Sequence, residues 1–432
     1  MIIAVSILCL FSLLILGVPI PIAFLGTTLW FVVVGGYDPS FILPFGYSRM
    51  NTVIILAIPL FIIAGGLLNR SNIGNKIVNV VEMFVGKIRG GLGAIGIISC
   101  AIFGSITGSA CATLSAMGTI MFPRLKDAGY PVGHSAAIMA SAAVVAMTVP
   151  PSPLMILYAW VGQVSVLACF LACTMPAILL MVLLCVVNMF MVRNDQNIRV
   201  EASLSRDMYY KELGKRTKEG LPALSLPIVV LGGIYGGFVT PTEAAALSIF
   251  CVLPLGFFVY KGLTWRGVGE VMLESVIITG AIMMMLYCIM ILSRFYIMED
   301  MPNVVLDFLT SISDNKYTIL LMINVFMVII GMIMDDVSAV LLVTPILLPV
   351  VVELGVHPIH FAAVVGVNIG MGNITPPTAP VLYLSSQLSG APVAQAIKPT
   401  LILILFAWFP TLVITTYCPE LALWLPRVFL GI

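Results

Sequence analysis

The sequence predicts an all-α membrane protein that crosses the bilayer many times and is built from two inverted repeats. Three observations predict this: an apolar composition, a series of long apolar runs, and two similar Pro-Pro motifs in the two halves of the chain. Of 432 residues, 61% are hydrophobic and 9% are charged, whereas a soluble domain carries about 25% charged residues. This composition cannot cover a soluble surface, so it excludes the soluble classes of protein.

Apolar runs of roughly 20 residues predict membrane spans. The first two flank Gly17-Val18-Pro19, and the sequence leaves open whether residues 1–36 form one span or two. Two other runs, 91–123 and 318–352, are interrupted near their middle by small or polar residues, which predicts re-entrant helical hairpins. The predicted spans are 2–17, 20–36, 51–69, 134–163, 165–192, 221–238, 243–260, 270–297, 359–387 and 399–418.

Basic residues predict which side of the membrane faces the cytoplasm. Segment 193–218 holds the densest run of arginine and lysine, so we expect a cytoplasmic connector there. Counting spans from this connector puts Arg124 inside and the acidic loop 299–315 outside. The connector also divides the chain into a first repeat, 1–192, and a second repeat, 219–432.

The two halves match when residue i is aligned with residue i + 226. In this register, His134 meets His360 and Pro150-Pro151 meets Pro376-Pro377. Proline removes a backbone donor and clashes with the preceding turn, so 134–163 and 359–387 are predicted to be broken helices. An odd number of spans in each half would place the second copy upside down. Inverted repeats with broken helices are typical of secondary transporters, which hold their substrate near the midplane.

Breaks inside a membrane expose backbone N–H and C=O groups, and here they also carry side-chain oxygens. Many hydroxyls and carbonyls with few acids favour Na⁺ as the bound cation. Proton coupling would instead use a chain of acids and histidines. The polar residues are Ser105, Thr107, Ser109, Thr113, Asp335 and Asp336 at the hairpin tips, and Thr148, Ser152, Asn373, Thr375 and Thr378 at the Pro-Pro breaks.

Three acids are predicted to lie within the membrane: Glu243, Asp335 and Asp336. An intramembrane carboxylate is costly, which favours a functional role. The alternative is structural: either aspartate can cap a helix at the hairpin tip, and Glu243 can stabilise the first turn after Thr240-Pro241.

Ser109 and His134 also allow the hypothesis of an intramembrane serine protease. Their positions predict different membrane depths, and a protease would leave the duplication unexplained. We interpret His134 and His360 as residues at helix boundaries, and we expect no enzymatic activity.

Four motifs occur in the order "FGSITGSACAT" (103–113), "VPPS" (149–152), "GGFVTPTEAAA" (236–246) and "GNITPPTAP" (372–380). Together they resemble the large membrane subunit of TRAP (tripartite ATP-independent periplasmic) transporters, the DctM-like family, over essentially the whole chain. The resemblance implies an ion-transporter-superfamily fold with a stationary scaffold and a moving elevator domain. It also implies uptake of a small organic acid across the bacterial inner membrane, coupled to about two or more Na⁺ ions.

The same resemblance implies two protein partners: a small four-helix membrane subunit, DctQ-like, and a periplasmic substrate-binding protein. We expect no nucleic-acid partner. The alternative is a single-component Na⁺/dicarboxylate symporter of the same superfamily. The sequence does not identify the acid that is carried.

Site residues are likewise implied by the resemblance. Ala146 stands where glycine is expected, a change that a site made of backbone carbonyls tolerates. No arginine or lysine lies at the predicted midplane, because Arg294 and Lys398 fall at span ends, so helix N-termini, hydroxyls and Na⁺ would hold the anion. The implied residues are Thr107, Ser109, Ala146, Val149 and Pro151 for one Na⁺; Asp335, Gly372 and Thr375 for a second; and Ser105, Gly108, Pro150, Thr240, Pro241, Thr242, Pro377 and Thr378 for the substrate.

Overall fold

The computed structural model describes residues 2–85, 88–199 and 206–432, and every regular element in these ranges is helical. The first half contains α1 (Ile2–Ile15), α2 (Ile20–Gly35), α3 (Ile42–Met50), α4 (Ala57–Arg70), α5 (Ile73–Val85), α6 (Gly91–Thr107), α7 (Ala110–Asp127), α8 (Val132–Thr148), α9 (Pro153–Gly162) and α10 (Val166–Val192). The second half contains α11 (Arg206–Tyr235), α12 (Pro241–Pro254), α13 (Trp265–Met298), α14 (Met301–Ile312), α15 (Lys316–Ile333), α16 (Asp336–Glu353), α17 (Pro358–Ile374), α18 (Pro380–Ser389), α19 (Val393–Leu403), α20 (Phe409–Tyr417) and α21 (Pro419–Leu430).

The predicted multi-pass, all-α architecture is confirmed. Among the described residues, 7 helices are long and apolar enough to cross a membrane, or 8 if α8 and α9 form one span bent by 41°. Both arms of the predicted hairpin 318–352 are among the 7, at 18 residues each. The seven are Val53–Arg70, Val166–Val192, Pro241–Val259, Trp265–Met298, Lys316–Ile333, Asp336–Glu353 and Val393–Tyr417.

The N-terminal 36 residues form two helices. α1 ends before Gly17, whose φ of +78° is a left-handed conformation that suits glycine. α2 then begins with Pro21 in its first turn, where proline's missing N–H leaves no helical bond unmade. At 14 and 16 residues, both helices are shorter than the other candidate spans.

The predicted connector 193–218 and the predicted span 221–238 are not separate elements. α11 runs for 30 residues from Arg206 to Tyr235, and residues 200–205 of the connector lie outside the described residues. The glutamates, lysines and arginines at its start are good helix formers. Arg216 pairs with Glu212 at 2.8 Å one turn earlier, and this hydrogen bond lowers the pKa of the Glu212 carboxyl.

Helix boundaries repeat with the offset read from the sequence. α7 (110–127) and α16 (336–353) begin and end at i and i + 226, and so do α8 (132–148) and α17 (358–374). α10 corresponds to α19 and α20, which are joined by a π-helical turn at Ile404–Trp408. Proline, glycine and small residues therefore end helices at equivalent positions in both halves.

Two of these helices form the centre of the molecule. In α8 every residue from Gly133 to Thr148 is buried, and in α17 every residue from Ile359 to Ile374 is buried. A helix that is apolar on all sides belongs in a core. α8 packs against α6, α7, α17, α18 and α19. The two helices that end at Pro-Pro motifs are therefore the ones that the remaining helices surround.

Candidate functional site

The first break separates α8 from α9. α8 ends at Thr148, the Pro150–Pro151 peptide bond is cis, and α9 begins at Pro153. The hydroxyl of Ser152 is buried and makes no hydrogen bond to any residue that the structure describes. Buried polar groups are normally paired, so this oxygen is available to a bound ion or water.

The second break separates α17 from α18 and is one residue longer. α17 ends at Ile374, the Pro376–Pro377 peptide bond is also cis, and α18 begins at Pro380. The hydroxyl of Thr375 donates to the carbonyl of Met371 at 2.6 Å. Its two lone pairs remain free to coordinate a cation.

The tip between α6 and α7 lies against the first break. Gly108 has a φ of +60°, and a Cβ placed on it would lie 2.3 Å from Cδ of Pro153 and 3.1 Å from the carbonyl oxygen of Pro151. Thr107 and Thr113 share a hydrogen bond of 2.8 Å between their hydroxyls. The structure thus brings Thr107, Gly108 and Pro151 together.

Ser109 and Ala146 frame the same tip. Ser109 caps α7, since its hydroxyl accepts from the N–H of Ala112 at 3.4 Å. A Cβ placed on Gly104 would lie 2.3 Å from the Cβ of Ala146. The alanine at position 146 is therefore accommodated because its neighbour across the helix contact is a glycine.

The tip between α15 and α16 lies against the second break. A Cβ placed on Gly372 would lie 2.6 Å from the carbonyl carbon of Gly331. Asp335 caps α16 by accepting from the N–H of Ser338 at 3.2 Å, and it also accepts from the Ser338 hydroxyl. The structural role predicted for Asp335 is therefore present, four residues after Gly331 of this helix contact.

The two tips share one region of the molecule. The helices that end at the two breaks, α8 and α17, pack against each other. Each tip lies against one of these breaks, so the hydroxyl-rich tip of the first half and the carboxyl groups of the second half belong to one polar region.

Thr240, Pro241 and Thr242 lie at the start of α12. Thr240 and Glu243 form a capping box at the start of α12, which confirms the structural interpretation of Glu243. Thr242 donates to the carbonyl of Val53 at 3.3 Å, in a 3₁₀ turn that packs against α9. This turn therefore links Thr242 to α9, the helix that follows the first break.

The histidines are buried packing residues. His134 Nε2 bonds Asn188 Oδ1 at 3.0 Å, and His360 Nε2 bonds the carbonyl of Thr415 at 2.7 Å. Both lie in the third residue of their helix, as expected for boundary residues, but they face the interior. These bonds leave neither side chain as an obvious ligand.

Sequence reasoning missed a buried amide network beside the second break. Asn368 donates to Asn324 at 2.9 Å, and Asn324 donates to Thr416 at 2.9 Å. The carbonyl oxygen of the Asn368 side chain is buried without a partner among the described residues. An asparagine in the middle of an apolar run was the available signal.

The chain matches the family model of the DctM component of tripartite ATP-independent periplasmic transporters over residues 7–421. It belongs to this family. The isethionate TRAP transporter permease protein DctMQ of Oleidesulfovibrio alaskensis is 32% identical to it, over 97% of this chain and 65% of that protein. The sialic acid TRAP transporter large permease protein SiaM of Vibrio cholerae is 31% identical over 88% of each chain.

A solved structure supports the architecture. The crystal structure of the YdaH transporter of Alcanivorax borkumensis aligns with a TM-score of 0.62 at 14% identity, covering 87% of this chain and 86% of that one. At this identity the likeness concerns the fold alone. This DctM-family chain therefore shares a helical transporter architecture with a protein of very different sequence.

Proposed function

We propose that this chain, a TRAP large permease subunit, takes up a small organic acid together with Na⁺ by an elevator movement. The observation that carries the proposal is the contact of each hairpin tip with one broken helix: Gly108 with Pro151, and Gly331 with Gly372. Free backbone groups from the two breaks, hydroxyls from the first tip and carboxyl groups from the second would then surround one centre.

Sodium coupling is supported by the kind of donor at this centre. The described residues contain no group of three or more His, Cys, Asp or Glu that could hold a metal ion. The oxygens come instead from hydroxyls, carbonyls and the carboxylate of Asp335, which suit a hard cation. One ion would lie near Thr107, Ser109, Ala146, Val149 and Pro151, and a second near Asp335, Gly372 and Thr375.

An organic acid is supported by the relatives, whose names include isethionate and sialic acid. α7 and α9 begin at the first tip and at the first break, so their free backbone N–H groups lie there, and helix N-termini favour anions. The substrate would contact Ser105, Gly108, Pro150, Pro377 and Thr378. Thr240, Pro241 and Thr242 would line its path from the scaffold side.

The elevator movement is supported by the duplication. The hairpins 91–123 and 318–352, as re-entrant elements of opposite orientation, would slide with the broken helices against the other spans. Selection of the acid would lie with a periplasmic binding protein, and a small DctQ-like membrane subunit would complete the complex in the inner membrane. The serious alternative is a single-component Na⁺/dicarboxylate symporter.

Reconstitution tests the proposal. Vesicles that contain this chain, the small subunit and the binding protein loaded with labelled acid should accumulate the acid when a Na⁺ gradient is applied. Uptake should rise with Na⁺ concentration more steeply than first order, and Thr375→Leu should abolish it without loss of assembly. Full uptake in Na⁺-free buffer driven by a pH gradient contradicts the coupling, and full uptake of free acid by this chain alone favours the single-component symporter.

A further inference from the structure

Two cavities of the molecule are related by the internal repeat. The outer cavity, of about 320 Å³, lies between α16 and α9 and is lined by Arg49, Trp160, Gln163, Arg294, Thr344 and Leu348, among others. The inner cavity, of about 770 Å³, lies between α7 and α18 and is lined by Gly118, Phe122, Lys126, Asp127, Leu388 and Ser389, among others. Gly118, Phe122 and Gln163 match Thr344, Leu348 and Ser389 at i and i + 226.

Each cavity therefore combines the second arm of one half's hairpin with the far end of the other half's broken helix. In the proposed orientation, the outer cavity opens to the periplasm and the inner cavity to the cytoplasm. The two cavities are formed by equivalent backbone segments and differ in the charged side chains that line them.

The outer cavity holds two arginines from the scaffold side, Arg49 of α3 and Arg294 of α13. Their guanidinium carbons lie 5.4 Å and 5.6 Å from the centre of the same Phe45 ring. Both side chains are exposed, and neither forms an ion pair with an acid among the residues that the structure describes. The inner cavity, in contrast, carries one cation and one carboxylate side by side, Lys126 and Asp127.

Two unpaired guanidinium groups that share one ring repel each other, and an anion between or beside them relieves this repulsion. The walls around them include Trp160 and Leu348, which lower the local dielectric constant and focus the positive potential. A planar guanidinium also matches carboxylate and sulfonate oxygens in a two-point geometry. The outer cavity therefore has the charge and the donors for a small acid.

We propose that the outer cavity is a vestibule in which Arg49 and Arg294 bind the carboxylate or sulfonate of a small organic acid before it reaches the centre between the hairpin tips. This inference rests on the proposed function and adds a second, peripheral site to it. The charge difference between the cavities then gives the periplasmic entrance an attraction for acids that the cytoplasmic exit lacks.

Thiol chemistry tests the vestibule without transport. Gln163→Cys probes the outer cavity and Ser389→Cys, at the repeat-related position, probes the inner one, in a background whose exposed and half-buried cysteines are serine. Purified protein is treated with anionic 2-sulfonatoethyl methanethiosulfonate and with cationic 2-(trimethylammonio)ethyl methanethiosulfonate. The anionic-to-cationic rate ratio at position 163 should fall about tenfold in the Arg49→Gln/Arg294→Gln variant.

The ratio at position 389 should be unchanged by the same two substitutions, which serves as the matched control. Because both arginines are exposed, the substitutions should leave the protein folded, as gel filtration checks. An unchanged ratio at position 163 overturns the vestibule and leaves the proposed function standing.

A second measurement identifies the kind of anion. Sodium isethionate or sodium succinate, replacing sodium chloride at equal ionic strength, should slow the anionic reagent at position 163 at least about threefold. The protection should disappear in the double arginine variant. Absence of protection overturns the small-acid site and indicates instead that the two arginines bind an acidic protein surface. Failure of Na⁺-driven uptake affects neither thiol measurement, so the two proposals fail separately.

Discussion

The two hairpin tips have matching helix boundaries and different chemistry. In the first, Gly108 turns the chain in the left-handed region and Ser109 caps α7. In the second, the equivalent of Gly108 is Met334, which is extended, and Asp335 caps α16. The duplication thus preserves the backbone breaks while the side chains diverge. One tip is specialised for close approach, and the other for carrying charge.

The largest expected difference between the tips concerns the turn residue. Gly108→Ala puts a Cβ 2.3 Å from Cδ of Pro153 at a φ of +60°. Left-handed strain and overpacking together should lower the free energy of unfolding by about 2–4 kcal/mol and abolish uptake. Met334→Leu at the matching position keeps the volume of a buried side chain and should leave uptake within about twofold of the unsubstituted chain, because this backbone needs no left-handed conformation. Thermal unfolding and vesicle uptake measure both effects, and equal losses would show that the tips are not specialised in this way.

The next difference concerns charge. Asp335→Asn keeps an N-cap and removes the negative charge, so the Na⁺ concentration for half-maximal uptake should rise at least about tenfold. Ser109→Ala at the other tip removes one neutral oxygen and should raise it only a few-fold. Uptake measured against Na⁺ concentration separates the two. Similar shifts in both variants would contradict a charged second site paired with a neutral first one.

The smallest difference lies at the starts of α2 and α12, which both carry a proline in their first turn. Thr240 caps α12 with its side chain, whereas Pro19 precedes α2 without a side-chain cap. Thr240→Ala should lower the free energy of unfolding by about 1 kcal/mol, and Thr240→Ser should preserve it. If Thr240→Ser keeps stability and yet loses most of the uptake, Thr240 contacts the substrate in addition to capping the helix.

Several features of this protein follow from local rules and can be recognised in the sequence alone. The apolar composition determines the membrane class, since a chain with 9% charged residues cannot cover a soluble surface. Proline pairs end α8 and α17, Gly108 and Asp335 mark helix ends at the tips, and the offset of 226 reproduces the helix boundaries. Each of these depends on a few neighbouring residues, so it can be read without knowing the fold.

Tertiary structure decided which of these breaks meet. The sequence does not show that Gly104 makes room for Ala146, that Gly331 packs on Gly372, or that Arg49 and Arg294 share Phe45. It also left Glu243 with two roles, and the capping box assigned one of them. Such contacts join residues far apart in the chain, and their energies depend on helix packing rather than on local propensity. The sequence by itself therefore determined the positions of the helix breaks, whereas the packing of buried helices brought these breaks together into one polar centre.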